Sequence, residues 1–252
     1  MTAAPFTTAR TMAGRSLRIS RRSPDALVTG LALPVLMMLI FVYFFGGSID
    51  TGTDYVTYVV PGTILLCAGF GAGSTAVSVA EDMKNGIIDR FRAADIGPVP
   101  VLAGHVTASV ARNLVSTALV LGVALAIGFR PSAGPAGYLA ALGLVAAWIV
   151  AISWLAAALG LLARTPEAAS GLTFLMMFLP YPSSAFVRIE TMPTWLHGFA
   201  EHQPLTPLIE SVRDLLLGRA AGGAPWIALA WCAAVTLLSL ALSLPLFRHR
   251  TR

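Results

Sequence analysis

Residues 81–99 read EDMKNGIIDRFRAADIGPV. In a chain of 252 residues that is 56% hydrophobic and 12% charged, this stretch holds the only lysine, Lys84, and four of the twelve carboxylates. An average soluble domain is roughly 25% charged. So little charge cannot cover the water-facing surface of a soluble protein this long. The remaining home for the apolar surface is lipid, where a helix needs about 20 apolar residues to cross.

The runs around the stretch meet that length. Tyr55 to Val79 precedes it without a charge, and Val101 to Phe129 follows it, apolar apart from His105 and Arg112. Farther out, Ala26–Phe45, Ala136–Ala163, Ala168–Phe186 and Pro225–Phe247 are uncharged. The sequence therefore predicts an all-α membrane protein with six spanning helices. Glycine and proline inside the runs are tolerated in such helices. The run at 26–45 is too long for a signal peptide's core, so it reads as a retained first span.

With six spans both termini share a side. That side would hold Arg10, Arg15, Arg18, Arg21, Arg22, Lys84, Arg90, Arg92, Arg164, Arg248, Arg250 and Arg252. The other side would hold Arg130, Arg188, Arg213 and Arg219. Basic loops stay inside, which puts the termini and residues 81–99 in the cytoplasm. The basic balance thus follows topology. A nucleic-acid surface would interleave aromatics with the cations, and Phe6 stands alone near the basic N-terminal stretch. Cys67 and Cys232 fall inside predicted spans, which argues against a disulfide or a zinc site.

Residues 7–23 combine sparse apolar positions with clustered arginines and predict an interfacial helix on anionic headgroups. On the outer side, Val187 to Ala224 is long for a connection and too apolar for a linker. Thr206 as N-cap, Pro207 at the first helical position and Gly218 as a stop bracket a helix. Pro180 and Pro182 interrupt the end of the fifth span. Two short outer re-entrant helices are expected here, packed on protein.

Within the opening stretch, Met83, Ile87, Ile88 and Phe91 share one face of a helix. Lys84, Asp89, Arg90 and Arg92 fall mainly off it, and Pro98 with Pro100 ends it. An amphipathic helix between two spans can lie on lipid or fill a groove on a soluble partner.

Here the sequence resembles a known family. The stretch with its continuation, EDMKNGIIDRFRAADIGPVPVLAGHV, is similar to the cytoplasmic loop of ABC-2 type permeases, closest to the daunorubicin-resistance-like branch of drug and lipid exporters. Asp82, Gly86, Asp89, Arg90, Phe91 and Arg92 match that branch's charged-x-x-x-Gly-x-x-Asp-Arg-Phe-Arg pattern. HQPLTPLIESVRDLLLG at 202–218 resembles the family's second signature. The resemblance covers nearly the whole chain. It implies one ABC-2 transmembrane domain over 1–252, half of a permease dimer, with residues 81–97 as a coupling helix. Asp82, Met83, Gly86, Ile87, Ile88, Asp89, Arg90, Phe91 and Arg92 would dock on a nucleotide-binding subunit. That subunit would bind ATP and magnesium. This chain has no G-x-x-x-x-G-K-[ST], and its lysine is followed by Asn85, so it builds no P-loop. The expected setting is a bacterial plasma membrane, and the expected cargo an amphipathic drug, antibiotic or lipid. The alternative, a stand-alone secondary transporter or channel, usually shows inverted repeats or paired midplane carboxylates, and the sequence shows neither.

Gly69, Gly73, Arg112, Phe178, Pro180, Pro182, Pro207 and Arg213 are the candidates for a substrate path or gate. The glycine run at 69–73 follows no strand and reads as close helix packing, with Gly62, Gly69 and Gly73 as an interface. An arginine inside the third span is costly; it serves a wet path, snorkels, or bonds structurally. Glu210 and Arg213 are i,i+3 neighbours that can pair. Ser74 with His105 lacks any sequence feature fixing a nucleophile–base geometry. His197, Glu201 and His202 lack the i,i+4 histidine pair of a helical zinc site. No catalytic set and no metal site is expected.

Overall fold

The computed structural model describes residue 14 and residues 24–87 and 98–250. Eight α-helices account for most of this, and no strand occurs among the described residues. They are α1 (Pro24–Ile40), α2 (Tyr55–Lys84), α3 (Pro98–Ala126), α4 (Pro135–Leu162), α5 (Pro166–Phe178), α6 (Thr194–His202), α7 (Leu205–Leu216) and α8 (Ala224–Arg250). A π-helical turn, Phe41–Phe45, prolongs α1, and a 3₁₀ turn, Ile189–Thr191, precedes α6. The interfacial helix expected over 7–23 lies outside the described residues apart from Gly14.

Four helices are long and apolar enough to cross a membrane: Tyr55–Lys84, Val99–Ala126, Pro135–Leu162 and Ala224–Phe247. They fall on four of the expected spans. α2 is the hub, packing against α1, α3, α4, α5 and α7, while α8 lies at the edge on α4 and α7. The core follows from this: Val59, Leu65, Leu66 and Cys67 of α2 meet Ile149 and Ile152 of α4, all 2% exposed or less.

Helix ends follow local chemistry. Thr165 caps α5 by accepting the Ala168 N–H at 3.2 Å, with Pro166 in the first turn. α7 ends as its glycine predicts: Gly218 takes φ +65°, its N–H reaches the Leu215 carbonyl, and the Arg219 N–H reaches Asp214. Gly86, also at φ +65°, ends α2 in the same left-handed way.

Three expectations change. The fifth span was expected as helix from 168 to 186, but α5 stops at Phe178 and turns run on to Phe186. Pro180 and Pro182 cannot donate to a helical ladder, and a residue before proline avoids helical backbone. The outer helix begins at Leu205, so Thr206 is not its cap; its hydroxyl donates instead to the Ala200 carbonyl at 2.5 Å and ties α7 to α6. Residues 187–224 are only partly protected: α7 is buried, whereas α6 leaves Trp195 80% and Phe199 52% exposed.

Candidate functional site

The sequence's candidate residues collect at the two ends of α2 and at one point between. At the end bearing the 88–97 connection, no helix breaker precedes Gly86, so α2 runs through Lys84 and absorbs the first turn of the expected coupling helix. Ile88, Asp89, Arg90, Phe91 and Arg92 lie outside the described residues.

Asp82 does not face outward as a rim charge. It is 8% exposed, and its Oδ2 lies 3.1 Å from Nε2 of His105, itself 8% exposed. Met83 also turns inward, packing on a small apolar cluster that includes Val79, Val101 and Leu102. The expected docking stripe therefore loses Met83; of its other members only Ile87, half-buried beside Gly86, lies among the described residues.

Halfway along the bundle, Arg112 occupies the midpoint of α3. Its Nη2 donates to the Ser74 and Thr75 hydroxyls, both at 3.0 Å. Ser74 in turn donates to the Gly71 carbonyl at 2.9 Å. Ser74 and His105 are thus not partners; each is engaged elsewhere. A polar seam continues from α3 to α4, where Ser109 and Ser153 hydroxyls meet at 2.9 Å. Hydroxyls of this kind compensate a half-buried guanidinium for the water it loses.

At the opposite end of α2, Arg213 reaches out of α7. Its Nε and Nη2 donate to the Tyr58 carbonyl at 3.2 and 3.1 Å, and Nη2 also reaches the Ser184 carbonyl at 2.6 Å. The guanidinium stacks 3.8 Å over the Tyr58 ring. The i,i+3 pairing with Glu210 gives way to these contacts. Burial holds the Glu210 carboxyl above the usual carboxylate range, against the pull of Arg213. The Tyr55 and Tyr58 hydroxyls donate to the carbonyls of Phe186 and Val187 at 2.8 and 3.1 Å. The Gln203 amide donates to the Pro182 carbonyl. α2, the 179–187 turns and α7 are thereby clamped together, with Pro180 and Pro207 buried among them.

The path candidates divide accordingly. Pro180, Pro182, Pro207 and Arg213 belong to the clamp. Phe178 lies at its edge, 51% exposed, with its ring 4.9 Å from Phe174. Gly73 faces Thr173 and Met177 at ordinary contact distance, whereas a Cβ on Gly69 would meet nothing within 4 Å. The close approaches between elements are at Gly62 against Ala185, Gly71 against Asn113, Gly137 against Leu215 and Gly160 against Ala76. His197 and His202 bond the carbonyls of Met192 and Gly198, each at 2.9 Å.

Tyr58 and Ser184 beside Arg213, and the pairing of His105 with Asp82, are features of the site that sequence reasoning missed. His105 carried a signal, being a lone histidine facing an acid across the loop. Ser184 takes part through its backbone carbonyl, which any residue supplies, whereas Tyr58 adds its ring and its hydroxyl to its carbonyl.

Residues 7–217 match the family described as ABC-2 type transporter. The chain belongs to the ABC-2 type transporter family. It is 28% identical over 238 residues to the daunorubicin resistance ABC transporter permease protein DrrB1 of Streptomyces coeruleorubidus, covering 94% of this chain and 84% of that protein. It is 23% identical over 220 residues to the probable doxorubicin resistance ABC transporter permease protein DrrC of Mycobacterium tuberculosis, covering 86% and 80%. These relatives are permease subunits. The ABC-2 match takes in the loop end, Arg112 and the Arg213 clamp, and stops short of α8.

Proposed function

We propose that this chain is the membrane permease subunit of an ATP-driven exporter that moves an amphipathic drug, antibiotic or lipid-like molecule out of a bacterial cell. The observation that carries it is similarity across 94% of the chain to a permease of daunorubicin resistance. ATP and magnesium belong to a separate nucleotide-binding subunit. Residues 88–92, with Gly86 and Ile87, form its docking face, and Phe91 is the apolar anchor. A second permease chain completes the path.

Five of the six proposed passages fit the helix lengths. α1 with its π-helical extension runs unbroken from 24 to 45, about 33 Å at 1.5 Å per residue. A bilayer core is about 30 Å thick. α5 and the turns after it make the fifth passage. Non-helical backbone there is tolerable because protein covers it: Ser183, Ser184, Ala185 and Phe186 are all buried. The arginine count then puts both termini and the docking loop in the cytoplasm and the Arg213 clamp at the outer mouth.

The test is daunorubicin uptake by inverted membrane vesicles from cells producing this chain with its ATPase subunit. Inversion turns the cytoplasmic face outward, so added ATP and magnesium should drive accumulation inside. A non-hydrolysable analogue should not. Accumulation that needs no ATP, or that occurs only in right-side-out vesicles, would overturn the reading.

A further inference from the structure

The two helices that flank the docking connection are joined to each other. Asp82 stands in the last turn of α2 and His105 two turns into α3, with their side chains 3.1 Å apart and both residues 8% exposed. A buried carboxylate is tolerated only where partners compensate it. An apolar pair would pack as well, but it would let the helix ends slide. A hydrogen-bonded ionisable pair fixes one register.

The joint rests on a plate of helix ends. Beneath it Val79 of α2, Val101 and Leu102 of α3, Leu161 of α4 and Phe247 of α8 form an apolar cluster separate from the main core. From Lys84 back to Tyr55, α2 is one helix of 30 residues, about 45 Å by helical rise. Its other end is the part gripped by Arg213 and by the carbonyls of Phe186 and Val187. Pro61, one turn inside that grip, is the proline within the helix and marks the place where it can bend.

We propose that Asp82 and His105 are positioning residues that make the two stems of the docking loop move as one body, so that α2 delivers the loop's displacement to the outer clamp. This inference rests on the docking role proposed above. Without the joint, motion of the loop would be spent in shifting the loop-side ends of α2 and α3 against each other, since their next polar tie, Arg112 to Ser74 and Thr75, lies about two turns deeper. The ATPase subunit would still bind and turn over.

The experiment uses the complete complex in vesicles. It reads ATPase association, ATP hydrolysis and daunorubicin moved per ATP for wild type, Asp82→Asn, His105→Gln and the reciprocal swap Asp82→His with His105→Asp. Each single variant should keep the ATPase subunit and its hydrolysis, while transport per ATP falls about tenfold, within the usual range of coupling between sites. The swap should restore at least half of the wild-type ratio, which a general loss of stability would not do. If one single variant fails to assemble, the other decides by the same ratio. A wild-type ratio in the single variants, or a swap that stays uncoupled, overturns the joint while leaving docking intact. An ATPase that does not associate with the wild-type chain overturns docking, and the joint with it.

Discussion

Replacing Arg213 with methionine should destabilise the purified chain by about 3 kcal/mol or more. Arg213 is 8% exposed, and its guanidinium serves the carbonyls of Tyr58 and Ser184 while stacking on the Tyr58 ring. A hydrogen bond to a charged group is worth roughly 1.5–3 kcal/mol, and a desolvated cation–π contact about 2. Methionine fills similar volume, so most of the loss is polar. Lysine should recover only part of it, because an ammonium lacks the planar fork that spans two acceptors and stacks. The readout is built into the chain. Cys67 and Cys232 are buried and free, so their reaction with a thiol dye on heating reports unfolding. An Arg213→Met chain that unmasks these thiols at the wild-type temperature would remove the clamp from the account.

The second large effect is expected at Gly160, where α4 crosses α2. A Cβ there would lie 2.5 Å from the Ala76 carbonyl oxygen and 2.9 Å from the Val79 Cβ. Backbone cannot swing aside, so the two helices would have to part. Overpacking of this kind costs about 1–3 kcal/mol, and Gly160→Ala should sit at the top of that range. Gly71→Ala should cost less. The atom it meets is the amide oxygen of Asn113, the far end of a side chain that can turn. Gly143→Ala faces open space in the groove between α4 and α8 and should change stability by no more than about 0.5 kcal/mol. Thermal unfolding of the three variants checks the order. Equal stabilities would mean that α2 and α4 do not meet this closely.

These two sites show what was legible in the sequence. The long apolar runs at 55–79, 101–129, 136–163 and 225–247, with Arg112 their one charged residue, became α2, α3, α4 and α8, because a run of that length with so little charge has little else to be. The apolar spacing after Thr206 and the stop at Gly218 were equally readable, being local chemistry. Long-range contacts were not. Asp82 reads as one of several loop charges until a histidine 23 residues away turns it inward. Arg213 looks like the partner of Glu210, since helical spacing says nothing of a carbonyl 155 residues distant. The glycines at 62, 69 and 73 look alike in sequence. Only the packing of the turns after α5 on α2 shows that Gly62 presses on Ala185 while Gly69 faces nothing within 4 Å. The prolines at 180 and 182 announced a break, but where the helix yields depended on what the turns beyond could bond.

Docking of a separate ATPase on the loop after α2 is tested most directly by co-purification from membranes, comparing the tagged wild-type chain with Phe91→Ala and Arg92→Ala. The wild-type chain should bring its ATPase subunit with it. Phe91→Ala should weaken that association tenfold or more, since a buried aromatic anchor is worth on the order of 2 kcal/mol and 1.4 kcal/mol is a factor of ten. Arg92→Ala, a rim charge, should cost no more than about 1 kcal/mol. Both should still insert, because neither substitution changes an apolar run. A Phe91→Ala chain that keeps its partner and its transport at wild-type levels would contradict the docking face, and its apolar stripe would then belong to the lipid surface.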